Sequence, residues 1–209
     1  MAIDKLGLYN GALRIMGERK IATLSENREP RRVLDGIWDE DAVRYCLEQG
    51  QWQWASRTVK LEASTTVEPE FGYRWAFEKP EDYVRTVNIS TDEYFNEPLN
   101  AFSDEAGYLF SNVDILYLRF VSDHDDYGRN YELWPISFQR YVMSYLAYEG
   151  SLRLTASHSI QDRLEKQMKV RQSDAQSKDG VNRPTMFYPR GSFITARHGI
   201  NARQTDRRR

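Results

Sequence analysis

The stretch from Trp134 to Lys178, WPISFQRYVMSYLAYEGSLRLTASHSIQDRLEKQMKVRQSDAQSK, constrains the fold of this chain most. It reads as two helices, 134–156 and 159–178, with a short break between them. In the first, Phe138, Tyr141, Val142, Tyr145, Leu146, Tyr148 and Leu152 leave almost no polar face, so it must be covered on several sides. The second keeps only a narrow apolar stripe, Ile160, Leu164, Met168 and Ala175. Asp162 and Lys166, and Glu165 and Lys169, stand four residues apart, the spacing that supports an exposed helix. Ser159 with Asp162 predicts the N-terminal cap of that helix. One helix buried all round and one half-exposed require further helices elsewhere in the chain.

Those helices are found near the start. Leu6, Tyr9, Leu13 and Met16 share one face of a helix over 4–16, which Gly17 can close. After the link Lys20–Leu24, a helix over 28–49 is expected, with Pro30 in its first turn and Leu34, Trp38, Ala42 and Tyr45 as the buried stripe. Gly50 stops it, and Trp52 and Trp54 follow as anchors of a junction.

Beyond Trp54 the period changes from helical to alternating. Phe71, Tyr73, Trp75 and Phe77 alternate with Gly72, Arg74 and Ala76, the pattern of a half-buried strand. Ala55, Val59 and Leu61 suggest an earlier strand, and Tyr83–Ile89 a later one after a turn at Lys79–Asp82. Tyr108–Phe110 and Val113–Val121, separated by Ser111 and Asn112, predict a hairpin. Both alternating sets of 113–121 are apolar apart from Asp114 and Arg119, so that strand should be central. The expected fold class is α+β. Residues 1–52 and 123–179 would form an antiparallel helical bundle, 53–122 a small inserted β unit, and 180–209 an extended C-terminal arm.

Charge is divided along the chain. From Gly180 onward seven arginines stand against Asp206 alone, a net of +6, which leaves −8 for residues 1–179. A basic end on an acidic body suggests that the end meets something negative, nucleic acid or an acidic protein surface; a solvated tail would carry the same charges. Met186, Phe187, Tyr188, Phe193 and Ile194 are too apolar for a plain solvated tail, while Pro184, Pro189, Gly191 and Gly199 break regular structure. Mixed basic and aromatic residues in an irregular segment describe an arm that orders on a partner.

Reactive chemistry is not marked in the sequence. His124, His158 and His198 lie in three regions without metal-ligand spacing. No phosphate loop or nucleophile turn is present. Cys46 is the single cysteine, which rules out an internal disulfide and suits core packing. Asp123–Gly128 has acids at the first and third positions of a calcium-type loop and glycine at the sixth. Tyr127, Arg129 and Trp134 fill positions that need oxygen ligands, so a strand-to-helix loop is the expected reading. No catalytic, cofactor or metal residue is therefore assigned. The N-terminus lacks the pattern of a signal peptide, no apolar run spans a bilayer, and no membrane contact is expected.

The order of elements is more specific than any one of them. A helix, Gly17-Glu18, Ile21–Leu24, a helix, Trp52-Gln-Trp54, Leu61, Tyr73–Phe77 and Pro80–Arg85 come first. Ile115–Val121, Trp134-Pro135, Phe138, Leu146-Ala147 and a charged helix follow. From about residue 5 to Gly199 this order resembles the head-to-tail adaptor family of tailed bacteriophages, which includes the tail tubular protein A of short-tailed phages. The resemblance implies a structural protein of the virion tail, assembled in the host bacterial cytoplasm. It would form a ring, commonly a dodecamer, below the portal protein and extend the DNA channel. Genomic double-stranded DNA would pass through without sequence-specific binding. The helices would be the ring body, and 53–122 would face a distal, nozzle-type tail protein. The arm would dock on the portal, with Arg183, Phe187, Tyr188, Arg190, Phe193 and Arg197 as the portal-binding residues. Two other function classes compete: a nucleic-acid-binding protein acting through its basic tail, and a tail-associated cell-wall hydrolase, which would require a carboxylate pair.

Overall fold

The computed structural model describes residues 3–182, and over that range the chain is mixed α and β, with five helices and two three-stranded antiparallel sheets. The six assigned portal-binding residues and the basic end lie outside the described residues. Among the described residues no helix is long and apolar enough to cross a membrane.

Helix α1, Lys5–Met16, begins where the Asp4 carboxylate accepts from the Gly7 N–H at 2.7 Å. It ends at Gly17, whose φ of 86° only glycine adopts without strain. The Glu18 N–H then reaches back to the Leu13 carbonyl at 2.8 Å, closing the last turn. The Asn10 side chain makes two hydrogen bonds to the backbone of Ile21, which lays the following link against α1.

The single helix expected over 28–49 is in fact two, α2 (Glu29–Asp39) and α3 (Ala42–Glu48). Asp41, at φ 62°, takes the left-handed conformation that aspartate tolerates better than most residues, and this turns the chain between them. The turn changes the buried set. Ala42, Val43, Cys46 and Leu47 face inward on α3, whereas Tyr45 is exposed.

Helix α4, Ile136–Thr155, lies against α1, α2, α3 and α5 together, the coverage on several sides that its sequence demands. Phe138, Tyr141, Val142, Leu146 and Ala147 are buried, but Leu152 is exposed. Helix α5, His158–Val181, buries Leu164, Met168 and Ala175. Its N-cap is Ser157 rather than Ser159, because the left-handed Ala156 (φ 51°) ends α4 and turns the chain at once. The Glu165–Lys169 ion pair forms at 2.5 Å; Asp162 and Lys166 do not pair.

The strands are β1 (Ser56–Glu62), β2 (Trp75–Glu78), β3 (Tyr83–Ser90), β4 (Phe102–Glu105), β5 (Tyr108–Ser111) and β6 (Ile115–Ser122). One sheet runs β1-β6-β3 and the other β2-β5-β4. β6 is central, as its two apolar sets require. Leu116, Leu118 and Phe120 share a core with Phe77, Ile89 and Leu109, while Val121 faces the helices.

Two strand expectations fail. Tyr108–Phe110 does not form a hairpin with 113–121; β5 pairs with β4 through a two-residue turn at Ala106 (φ 49°) and Gly107 (φ 87°), the doubly left-handed geometry that suits tight hairpins. The alternating run 71–77 is regular only from Trp75. Its buried pair is Ala76 and Phe77, while Phe71 is 87% exposed and Trp75 41%.

Candidate functional site

A concentration of charged side chains around a cleft lies where the helices meet the first sheet. At the end of β6 the Ser122 hydroxyl donates to the Asp82 carboxylate at 2.5 Å, and Arg57 on β1 donates to the same oxygen at 2.8 Å. Burial alone would raise the Asp82 pKa, yet the hydrogen bonds from Ser122 and Arg57 outweigh it and hold the carboxyl below its usual range. One residue on, Asp123 accepts from Arg44 of α3 at 2.5 Å. Arg129 returns from the loop to Asp41 at 2.8 Å and to the Asp123 carbonyl at 3.1 Å. The groove between these groups is open, about 550 Å³, and also lined by Glu81, His124 and Asp125.

Its chemistry is that of a joint. Arg44, Arg57 and Arg129 each hold a carboxylate, so among the described residues these three guanidinium groups tie the groove's walls together. The His124 Nδ1 accepts from the Asp126 N–H at 3.2 Å, and the His124 backbone N–H donates to the Ser122 hydroxyl at 3.1 Å, an exposed local turn. In the loop with calcium-type spacing, Asp123 is engaged by Arg44 and lies 3.7 Å from Arg129. No group of three His, Cys, Asp or Glu side chains able to hold a metal occurs among the described residues.

Among the described residues the other candidates do not combine into a reacting pair either. His158 begins α5, and His198 lies outside the described residues. Cys46 is fully buried, and burial pushes its thiol pKa well up despite a hydrogen bond with Tyr141. A thiol held neutral in this way is inert. Trp52 and Trp54 pack on Phe138 at 4.9 and 4.7 Å between ring centroids, and Trp134 meets the same ring at 4.9 Å. The Trp52 indole donates to the carbonyls of Cys46 and Leu47, closing the end of α3. The Trp134 indole donates to the Gly128 carbonyl at 2.9 Å. These rings serve the core where helices and sheet meet, not base stacking.

What the β half does offer is uncovered aromatic surface. Phe71 and Tyr94, 87% and 76% exposed, stand on the connections around β2 and β3. Sequence reasoning placed Phe71 in a half-buried strand and did not single out Tyr94. It also missed the Arg44–Asp123 and Arg57–Asp82 pairs, for which no local pattern exists. A scan against protein-family models and a search of curated proteins both return no match.

Proposed function

We propose that this chain is a structural virion protein, a head-to-tail adaptor that forms a ring below the portal, extends the DNA channel and carries the next tail component. The observation that carries the reading is the exposure of Phe71 and Tyr94 on the sheet half, away from a helical half whose core is closed by α4. Large exposed rings suit a surface that another protein covers. In this reading the helices are an antiparallel bundle that packs beside its copies, commonly twelve, and the β unit meets a nozzle-type distal protein. The arm, 180–209, docks on the portal through Arg183, Phe187, Tyr188, Arg190, Phe193 and Arg197. An excess of acidic charge over residues 1–179 suits a conduit, because negative walls repel phosphates and let duplex DNA slide.

The test separates the two ends. Deleting residues 181–209 should leave the helical circular dichroism intact and abolish attachment to purified portal rings. Phe71→Ser with Tyr94→Ser should keep portal attachment and lose the distal component. Truncated protein that still caps portal rings would overturn the arm assignment.

The net +6 of the C-terminal stretch favours one other reading, a nucleic-acid-binding protein. It requires DNA affinity whose logarithm falls by about 0.9 per neutralised phosphate for each decade of salt. Absence of binding at low salt removes it.

A further inference from the structure

Three guanidinium groups from three helices line one cleft: Arg14 of α1, Arg140 of α4 and Arg171 of α5. The cleft holds about 250 Å³, with Ile15 and Met143 as apolar lining and Ser144 and Gln167 as neutral polar groups. No acidic residue lines it, and none of the three arginines makes a side-chain hydrogen bond or ion pair among the described residues. Like charges gathered on one cleft repel one another, and each would gain from a carboxylate held in its fork. The site therefore seeks an anion.

The opposite side of α4 carries the converse surface. Glu149 lies roughly two and a half turns beyond Arg140 at about 3.6 residues per turn, so it points about 180° away. Packing around Glu149 and then the nearby Glu40 carboxylate raise the Glu149 pKa. Neither acid has a counter-ion among the described residues. Arg153, one turn further on, reaches Glu29 at 3.2 Å instead. Beside the two acids Tyr45 stacks on Tyr145, ring centroids 4.7 Å apart and planes at 22°. Tyr45 is 43% exposed and Leu152 39%. The patch is thus aromatic and apolar with two unneutralised carboxylates.

We infer that a second copy of this chain occupies the arginine cleft, seating its Glu40 and Glu149 on Arg14, Arg140 and Arg171. A nucleic-acid phosphate would satisfy the guanidinium groups equally well. The choice of a second copy rests on charge complementarity, since the chain itself carries the matching acid pair. Each side also brings apolar surface, Ile15 and Met143 against Tyr45 and Leu152, the mixture that stable contacts bury at their centre. Because the two surfaces differ and face apart, the contact is head-to-tail. Every copy added leaves one cleft and one acidic patch open, and the series ends only when it closes on itself. This specifies the neighbour contact of the proposed ring and rests on that reading for closure, though not for the pairing.

The experiment is sedimentation velocity on the full chain at low salt, where charge pairs are least screened. Wild type should associate, and raising the salt should weaken it. A cleft-reversed variant (Arg14→Glu, Arg140→Glu, Arg171→Glu) and a patch-reversed variant (Glu40→Arg, Glu149→Arg) should each stay single, while their equimolar mixture should associate again. Circular dichroism checks folding. If either reversed chain fails to fold, Arg140→Gln and Glu149→Gln take their place, each expected to weaken association about tenfold, or ~1.4 kcal/mol. A wild type that stays single at low salt, variants that associate as wild type does, or a mixture that does not recover would overturn the inference. So would Arg140→Gln that loses affinity for a short DNA duplex and leaves self-association unchanged. Variants that lose pairing in solution yet still cap portal rings would remove this contact from the ring and leave the adaptor reading standing; a wild type that pairs as described but never attaches to portal rings would overturn the adaptor reading and leave the pairing standing.

Discussion

Arg44 donates through Nη1 to the Asp123 carboxylate at 2.5 Å and through Nη2 to the Tyr83 carbonyl at 2.9 Å, so one side chain of α3 holds the ends of two strands. Replacing it with Met should cost about 1–3 kcal/mol, the range for losing hydrogen bonds to a charged group and leaving a carboxylate poorly matched. Urea unfolding measures the loss. A double-mutant cycle with Asp123→Asn should show that the two substitutions are not additive.

Acid should weaken the fold through three aspartates. Burial raises the Asp35 pKa, but hydrogen bonds from Tyr9, Arg31 and Lys5 outweigh it and bring it below the usual value. Asp82 is held down in the same way by Ser122 and Arg57. Asp92 falls to about 2, chiefly through the Ser90 hydroxyl and the Glu97 N–H. A carboxyl whose folded pKa is depressed contributes fully above its unfolded value, about 3.9 for Asp, and its contribution disappears as pH falls through the folded value. Melting temperature should therefore drop steeply between about pH 4 and about pH 2. Asp35→Asn should lower it at neutral pH and flatten that acid limb.

Two glycines should respond differently to alanine. A Cβ at Gly128 would stand closer than 3.0 Å to the backbone oxygen of Ser122 and 2.8 Å from the Leu47 Cδ1, and the backbone cannot yield without opening the junction. Gly128→Ala should cost about 1–3 kcal/mol, as overpacking does. At Gly11 the obstruction is the Met143 side chain, whose thioether can rotate aside. Gly11→Ala should cost less, and thermal melts of the two variants would rank them.

Trp52 combines packing with capping. Trp52→Phe keeps a ring against Phe138 but removes the donor to the Cys46 and Leu47 carbonyls, for a loss of about 1–3 kcal/mol. Trp52→Ala also empties a fully buried site and should cost about 3–5 kcal/mol. Chemical denaturation followed by circular dichroism separates the two.

Helix α1 was legible to the residue at its end because Asp4 and Gly17 act within one turn of the helix they cap. The expected 28–49 helix failed at Asp41 because its stripe, Leu34 to Tyr45, has the right period across the break. Periodicity cannot tell one helix from two collinear in pattern. Phe71 and Trp75 misled for a related reason: alternation states which residues share a face, not whether anything covers it. The arginine cleft carried no signal at all, since Arg14, Arg140 and Arg171 converge only once three helices pack.

By itself the sequence determined the mixed class of the fold, the buried nature of α4, the centrality of β6 and the uneven charge of the chain. Each is written in short-range order, a cap, a period or a composition that acts within a few residues. The tertiary structure alone decided that β5 pairs with β4 instead of β6, that Arg44 finds Asp123 across 79 residues, and that cations and acids separate onto opposite sides of α4. Those outcomes depend on which surfaces meet, and a local pattern records that a surface must be covered without recording by what.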